Sequence, residues 1–245
     1  MLIIPGGKRI MLLDLSILPL FAGKTLSEPV LLSQQGFSNE NYSFYADKQR
    51  YLLRKFKLQD RDRTLEYEVQ KLAYQHSLAA QPYYLNLEEG FMICEYLDGK
   101  HISKLTRGEI AVFVEQLKQL HTLKIDQQSL ALKSNFSVLT QELEEAFDVI
   151  HNATVETVLS HNDLNPLNCI FSKETIKFID WEFAGMNDRY FDLASFSVEF
   201  QFTVLDEAYM LALYFADENW DKKKLDAYKV VYKTLCGQWF DDHAL

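Results

Sequence analysis

The segment 160–194 of this 245-residue chain, SHNDLNPLNCIFSKETIKFIDWEFAGMNDRYFDLA, gathers the residue types most suited to chemistry. His161, Asp163, Asn168 and Asp180 fall in what reads as a loop–strand–turn–strand unit, with NCIF and IKFID as the two apolar runs. Phosphoryl transfer explains why such residues belong together. Magnesium is a hard ion that prefers a few oxygen ligands and bridging phosphates, which Asn168 and Asp180 can supply. An attacking hydroxyl has to be oriented and its proton accepted, a task for Asp163. His161 is better suited to bracing the loop than to chemistry. Turn-forming Asn and Asp beside a strand are the plain structural alternative, and a lone Asp-x4-Asn match favours it. Here a histidine two residues before the first Asp, an Asp after the next strand and an aromatic-acidic DWEF coincide, which argues for a site.

Around this segment the chain changes texture once. Residues 30–35, 42–46 and 51–56 read as short strands separated by the turn-prone GFSNEN and ADKQ. Residues 61–77 read as a helix, because Leu65, Val69, Leu72 and His76 recur at three- and four-residue steps. Strands at 83–87 and 91–95 follow. Beyond Leu97-Asp98-Gly99, residues 107–123, 138–150, 204–215 and 225–240 carry helical periodicity. The expectation is an α+β chain with a small β-rich lobe over residues 1–97 and a larger helical lobe over 98–245, joined at about 96–102. Ligands tend to sit in the cleft such an arrangement leaves.

Composition bounds the remainder. Apolar residues make up 48% and charged residues 24%, ordinary for a globular chain and incompatible with disorder or collagen. The net charge of -10 discourages nucleic-acid binding. It is unevenly spread: residues 1–140 hold 17 basic and 15 acidic side chains, residues 141–245 hold 8 and 20. Cys94, Cys169 and Cys236 are far apart and form no C-x-x-C pair, so neither a disulfide framework nor a zinc site is expected, and a reducing cytoplasm fits. The apolar run 10–21 is interrupted by Asp14 and Pro19 and falls short of the roughly 20 residues a membrane span needs. Met11, opening MLLDLS, would serve equally well as a start. GxxxxGK[ST] is absent, which excludes the P-loop class.

The interval from Asp163 to Asn168, with His161 ahead of it, is that of the H-x-D-x-x-x-x-N catalytic loop of kinases. HNDLNPLN followed by FIDWEFAG and FDLA resembles the choline/ethanolamine kinase branch of the aminoglycoside phosphotransferase superfamily, especially bacterial choline kinases associated with surface-glycan decoration. The continuation GMNDRYFDLASFSVEF favours that branch. The resemblance implies a two-lobed, protein-kinase-like fold, ATP and Mg2+ as cofactors, and a small cationic alcohol as acceptor. It implies catalytic roles for Asp163 and Arg54, with His161 alongside, and metal ligation by Asn168 and Asp180. QQGFSNENYSF resembles the family's phosphate loop, with Gln35 in place of one glycine; Gly36, Ser38 and Asn39 would cradle phosphate oxygens. Arg54 on YLLRKF would contact the α/β-phosphates, with Lys55 on the opposite strand face. Its acidic partner would be Glu66 or Glu68, with family spacing favouring Glu66. The connector FMICEYLDG would hydrogen-bond adenine through backbone at Glu95 to Leu97. Neither an A-P-E segment nor an activation loop of protein-kinase length is present, and Arg189 follows Asp180 by nine residues, which points to a small-molecule acceptor.

A quaternary ammonium is recognised by aromatic faces and a carboxylate. Glu199 matches a glutamate of the family's choline pocket; Trp239 on the last helix and Glu182 beside Asp180 are further substrate candidates, with Phe202 and Tyr232 behind them. The family's last helices usually extend beyond a terminus such as FDDHAL. That departure keeps thiamine open as an alternative acceptor to choline or ethanolamine, and a non-catalytic nucleotide-binding module open as a rival. Oligomeric state is not legible.

Overall fold

The computed structural model describes residues 14–58, 60–172, 175–216 and 219–242. The chain divides into two compact units: residues 1–59 with 83–96, and residues 60–82 with 97–245. The expectation of two consecutive stretches meeting at 97/98 differs in two respects, the smaller being that Leu97 falls with the second unit. Residues 60–82 fall with the second unit, because Val69, Ala73, Leu78 and Ala79 belong to its hydrophobic core.

In the first unit, β1 (Val30–Leu31), β2 (Asn39–Ala46), β3 (Gln49–Phe56), β4 (Pro82–Asn86) and β5 (Phe91–Glu95) form a sheet of order β1-β2-β3-β5-β4. The β2–β3 and β3–β5 pairs are antiparallel, with Leu53 opposite Tyr42 and Ile93. Alternation sends Tyr51 and Leu53 to one face. There, with Phe44, Phe91 and Ile93, they bury Leu15, Leu18 and Phe21 from two short 3-10 turns. Arg54 is on the other face. The part of the run 10–21 that is described, from Asp14, is thus core rather than span. The possible start at Met11 and the residues before it lie outside the described residues. No helix among the described residues is long and apolar enough to cross a membrane.

The second unit holds α1 (Arg63–Gln75), α2 (Arg107–Thr122), α3 (Gln141–Asn152), α4 (Arg189–Glu199), α5 (Val204–Phe215) and α6 (Lys222–Asp242). Two small hairpin-like pairs sit among them: β6 (Thr157–Ser160) with β9 (Gly185–Asp188), and β7 (Cys169–Ser172) with β8 (Thr175–Phe178). Sequence reading places no helix at α4: Arg189, Asp192, Ser195 and Glu199 recur at helical steps, but every residue from Tyr190 to Ser197 is buried, Asp192 and Ser195 included. Caps set the ends of others. Asp62 accepts from Leu65 N at 2.9 Å to start α1, and Thr106 with Glu109 forms a capping box for α2.

Gly99 is required by a close approach. Lys100 and Phe171 exchange backbone hydrogen bonds at 3.1 and 2.9 Å. A Cβ on Gly99 would lie 2.5 Å from Ile170 Cγ2 and 2.7 Å from the Phe171 carbonyl oxygen. A methyl can swing aside; a paired carbonyl cannot. Gly99→Ala is therefore expected to lower stability by about 1–3 kcal/mol, read as a lower urea midpoint at unchanged slope.

Candidate active site

The chain enters the site from β6, loops through His161, Asn162 and Asp163, makes a 3-10 turn at Pro166–Asn168, and runs through the β7–β8 pair to Asp180. Asp163 is held between two amides. Asn165 Nδ2 donates to its Oδ1 at 3.0 Å and Asn168 Nδ2 to its Oδ2 at 2.6 Å. Asn168 Nδ2 also donates to the Asp163 carbonyl at 3.0 Å, leaving Asn168 Oδ1 as its remaining donor to a cation. Ile179 N donates to Asn168 O at 2.9 Å and Phe178 N to Leu78 O at 2.8 Å, which pins the end of β8 just before Asp180. Asp180 itself has φ 64° and ψ 64°, left-handed backbone that Asp tolerates better than most residues, and its side chain does not cap the 3-10 turn Trp181–Phe183 that it begins.

Burial pushes the Asp163 carboxyl up to about 7, the Asn165 and Asn168 hydrogen bonds opposing it and the charges of Asp180 and Glu199 adding to it. Carboxylates at Asp180 and Glu199 acting on that of Asp163, beside the Asn168 amide oxygen, are the electrostatic situation a divalent cation relieves. Among the described residues no three His, Cys, Asp or Glu side chains are arranged to hold a metal. A site of one carboxylate and one amide oxygen, completed by phosphates and water, is what Mg2+ takes. The residues present fit the ion.

His161 is fully buried. Its Nε2 lies 3.0 Å from the Ile179 carbonyl, to which it donates as a neutral imidazole, and its ring is 4.7 Å from Trp181. Burial lowers its pKa, outweighing the nearby Asp192 charge, so it braces the loop in the neutral form.

Sequence reading missed two residues that hold the loop. Asp192, on α4 and fully buried, accepts from His161 N and Asn162 N, both at 2.8 Å, and from His121 Nε2 at 3.1 Å. Asn162, with φ 66°, donates through Nδ2 to Phe183 O at 2.9 Å and accepts from Asn187 Nδ2 at 2.8 Å. The FDLA quoted from the sequence contains Asp192, but nothing in a linear motif says that its carboxylate caps a loop 30 residues away.

On the acceptor side, Tyr232 of α6 donates to Glu199 Oε1 at 2.9 Å. Burial above all raises the Tyr232 pKa, and it pushes the Cys236 thiol up to about 11. Asp163 and Glu199 act electrostatically on both groups, so one turn of α6 borders the site. Trp239, one turn further on, packs its ring against Phe240 at 5.2 Å. Glu182 is placed elsewhere: its carboxylate meets Arg63 Nη1 at 3.1 Å and is nearly buried, so it borders Asp180 through the backbone. Glu66 is wholly buried and paired with Arg63 at 2.6 Å, whereas Glu68 is exposed beside Lys71.

In the first unit Ser38, Asn39 and Arg54 are buried. With the Asn39 amide oriented to satisfy both ends, its oxygen accepts from Arg54 Nη2 at 2.8 Å and its nitrogen donates to Ser38 O at 3.1 Å. Gly36 has ordinary φ, and a Cβ there would meet only Asn41 Nδ2 at 3.9 Å. Gln35 does the shaping instead. Its side chain donates to Leu32 O at 2.6 Å and Asn41 O at 3.0 Å and accepts from Asn41 N at 2.8 Å. These bonds explain why β1 stops at Leu31 rather than reaching 35. Gln35→Gly removes these local hydrogen bonds, worth about 1 kcal/mol each, and is expected to lower stability by about 1–2 kcal/mol, read as a lower urea midpoint. Glu95 ends β5 opposite Tyr51 and Leu97 opens the second unit.

A unit built on an antiparallel sheet, with a helical unit that carries His161, Asp163, Asn168 and Asp180 on one braced loop, defines a protein-kinase-like phosphotransferase fold. The chain belongs to the Phosphotransferase enzyme family (APH), whose pattern matches residues 31–228. Among relatives, the LicA homolog of Mycoplasma capricolum is 28% identical over 127 residues, covering 46% of this chain and 52% of that protein. Protein LicA of Haemophilus influenzae is 23% identical over 164 residues, covering 56% and 57%. The chain thus spans about half the length of the curated relatives it matches. Among solved structures, choline kinase LicA from Streptococcus pneumoniae superposes with a TM-score of 0.78 at 20% identity, over 90% of this chain and 87% of that one. An aminoglycoside-3'-phosphotransferase of type VIII gives 0.65 at 18% identity, over 85% and 93%.

Proposed function

We propose that this chain transfers the γ-phosphoryl group of ATP to the hydroxyl of a small cationic amino alcohol, choline or ethanolamine. The observation that carries the reading is the Asp163 carboxylate, fixed by Asn165 and Asn168 beside Asp180. Binding of a nucleotide alone requires no carboxylate so held. Asp163 orients the acceptor hydroxyl and takes its proton on a carboxylate oxygen as the oxygen attacks phosphorus. Asn168 Oδ1 and the Asp180 carboxylate would hold Mg2+, which when bound neutralises charge on the β- and γ-phosphates. Arg54, oriented by Asn39, neutralises phosphate charge from the first unit's residues. Glu66 rather than Glu68 fits the role of the buried acid on α1.

Acceptor choice follows from Glu199 and Tyr232. A carboxylate held by a buried aromatic hydroxyl offers a fixed negative charge to a quaternary or primary ammonium. The similarity to proteins described as choline kinase and probable ethanolamine kinase supports the same class. The test is ADP release, by a coupled assay, across choline, ethanolamine, thiamine and an aminoglycoside. Turnover is expected with choline or ethanolamine. Turnover with thiamine alone would reassign the acceptor, and no ADP with any of the four would overturn the reading in favour of a non-catalytic nucleotide-binding module.

A further inference from the structure

We infer that Arg63 is a positioning residue for the turn that presents Asp180, acting through Glu182; this rests on the phosphoryl-transfer reading above. Arg63 sits in the first turn of α1 with its side chain almost fully buried. A single atom, Nη1, meets Glu66 Oε2 at 2.6 Å and Glu182 Oε2 at 3.1 Å. Both carboxylates are buried. Two residues earlier, the Arg61 guanidinium lies 4.8 Å from the centre of the Phe183 ring. The 3-10 turn Trp181–Phe183 is therefore gripped at Glu182 and Phe183 by arginines that lead into one helix.

That grip has a purpose in the backbone. Asp180 holds left-handed φ and ψ, a conformation that persists only when its surroundings over-determine it. Upstream, the turn is held by Ile179 N on Asn168 O; downstream, by Asn162 Nδ2 on Phe183 O and by Arg63 on Glu182. Removing the guanidinium takes away the bond by which α1 holds Glu182. A buried carboxylate that loses a cationic partner shifts, and shifting Glu182 rotates the turn that begins at Asp180. Groups one step behind a metal ligand commonly matter 10–100-fold for the ion.

The experiment is calorimetric binding of ADP with Mg2+ and with EDTA, on wild type, Arg63→Met, Arg63→Lys and Arg63→Met combined with Glu182→Gln. Arg63→Met is expected to lose about tenfold of the affinity that Mg2+ adds, with binding in EDTA within twofold of wild type. Glu182→Gln in that background removes the buried charge that Arg63 held and is expected to restore part of the Mg2+ increment. Arg63→Lys, which keeps the charge between the two acids, is expected to retain most of it. An Arg63→Met protein with the full Mg2+ increment overturns the inference while the functional reading stands. If Arg63→Met fails to fold, Arg63→Lys decides: equal losses with Mg2+ and EDTA mean a merely structural arginine and overturn the inference. A wild-type chain that binds no ADP with Mg2+ overturns the functional reading and the inference together.

Discussion

Asp163→Asn is expected to reduce turnover by about 10^3-fold while leaving ATP affinity nearly unchanged, since a positioned general base contributes roughly 10^2–10^4. Asparagine is close to isosteric and can still accept from one of the two amides that now hold the carboxylate, Asn165 Nδ2 and Asn168 Nδ2. It cannot take a proton from a hydroxyl, and its own amide meets one of those donors head-on. The split is the informative part. Loss of turnover with preserved nucleotide binding places Asp163 at the reacting hydroxyl. A variant that keeps wild-type turnover in the ADP-release assay removes Asp163 from the chemistry, and one that loses nucleotide binding equally makes it a structural acid.

The second large effect lies away from the reacting atoms. Asp192→Ala strips the acceptor from His161 N and Asn162 N, two buried backbone donors at 2.8 Å, and from His121 Nε2. An unsatisfied buried donor costs about 1–3 kcal/mol, so the two amides together lead us to expect a loss of about 3–4 kcal/mol in urea unfolding. The damage is directed as well as large. Asn162, freed from Asp192, no longer holds its left-handed φ of 66°, and Asp163 is the next residue. Residual turnover at a temperature where the variant stays folded should therefore fall by more than nucleotide affinity does. A stability within 1 kcal/mol of wild type would show that the loop finds another acceptor.

Particular residues show where reading the chain succeeds and where it runs out. The helix at 204–215 is found at its observed ends, Val204–Phe215, because Thr203 and Asp206 cap it within the sequence itself. The strand at 91–95 matches Phe91–Glu95 for a similar reason, an apolar run closed by turn residues. By contrast α4 is not read as a helix, because its polar residues Asp192 and Ser195 are buried with the apolar ones and the stretch reads as a motif. Glu66 and Glu68 both stay open as helix acids in the sequence, with family spacing favouring Glu66; the fold buries Glu66 against Arg63 and leaves Glu68 in solvent. Glu182 reads as bordering a substrate, yet its carboxylate is committed to Arg63, 119 residues earlier. Gln35 reads as a lost glycine and proves to be a side-chain staple.

Local chemistry is legible in one dimension when the reacting groups arrive together. His161, Asp163, Asn168 and Asp180 span 20 residues, and their types and intervals alone point to phosphoryl transfer before any fold is known. The groups that hold them are dispersed: Asp192 and His121 on α4 and α2, Arg63 on α1. No interval relates these, because a buried acceptor or cation is selected by what it must satisfy in space, not by its distance along the chain. Reaction type is thus written in the spacing of a short segment. The protonation of Asp163, the left-handed turn at Asp180 and the partner of Glu199 are settled by burial and by contacts that exist only once distant segments have packed.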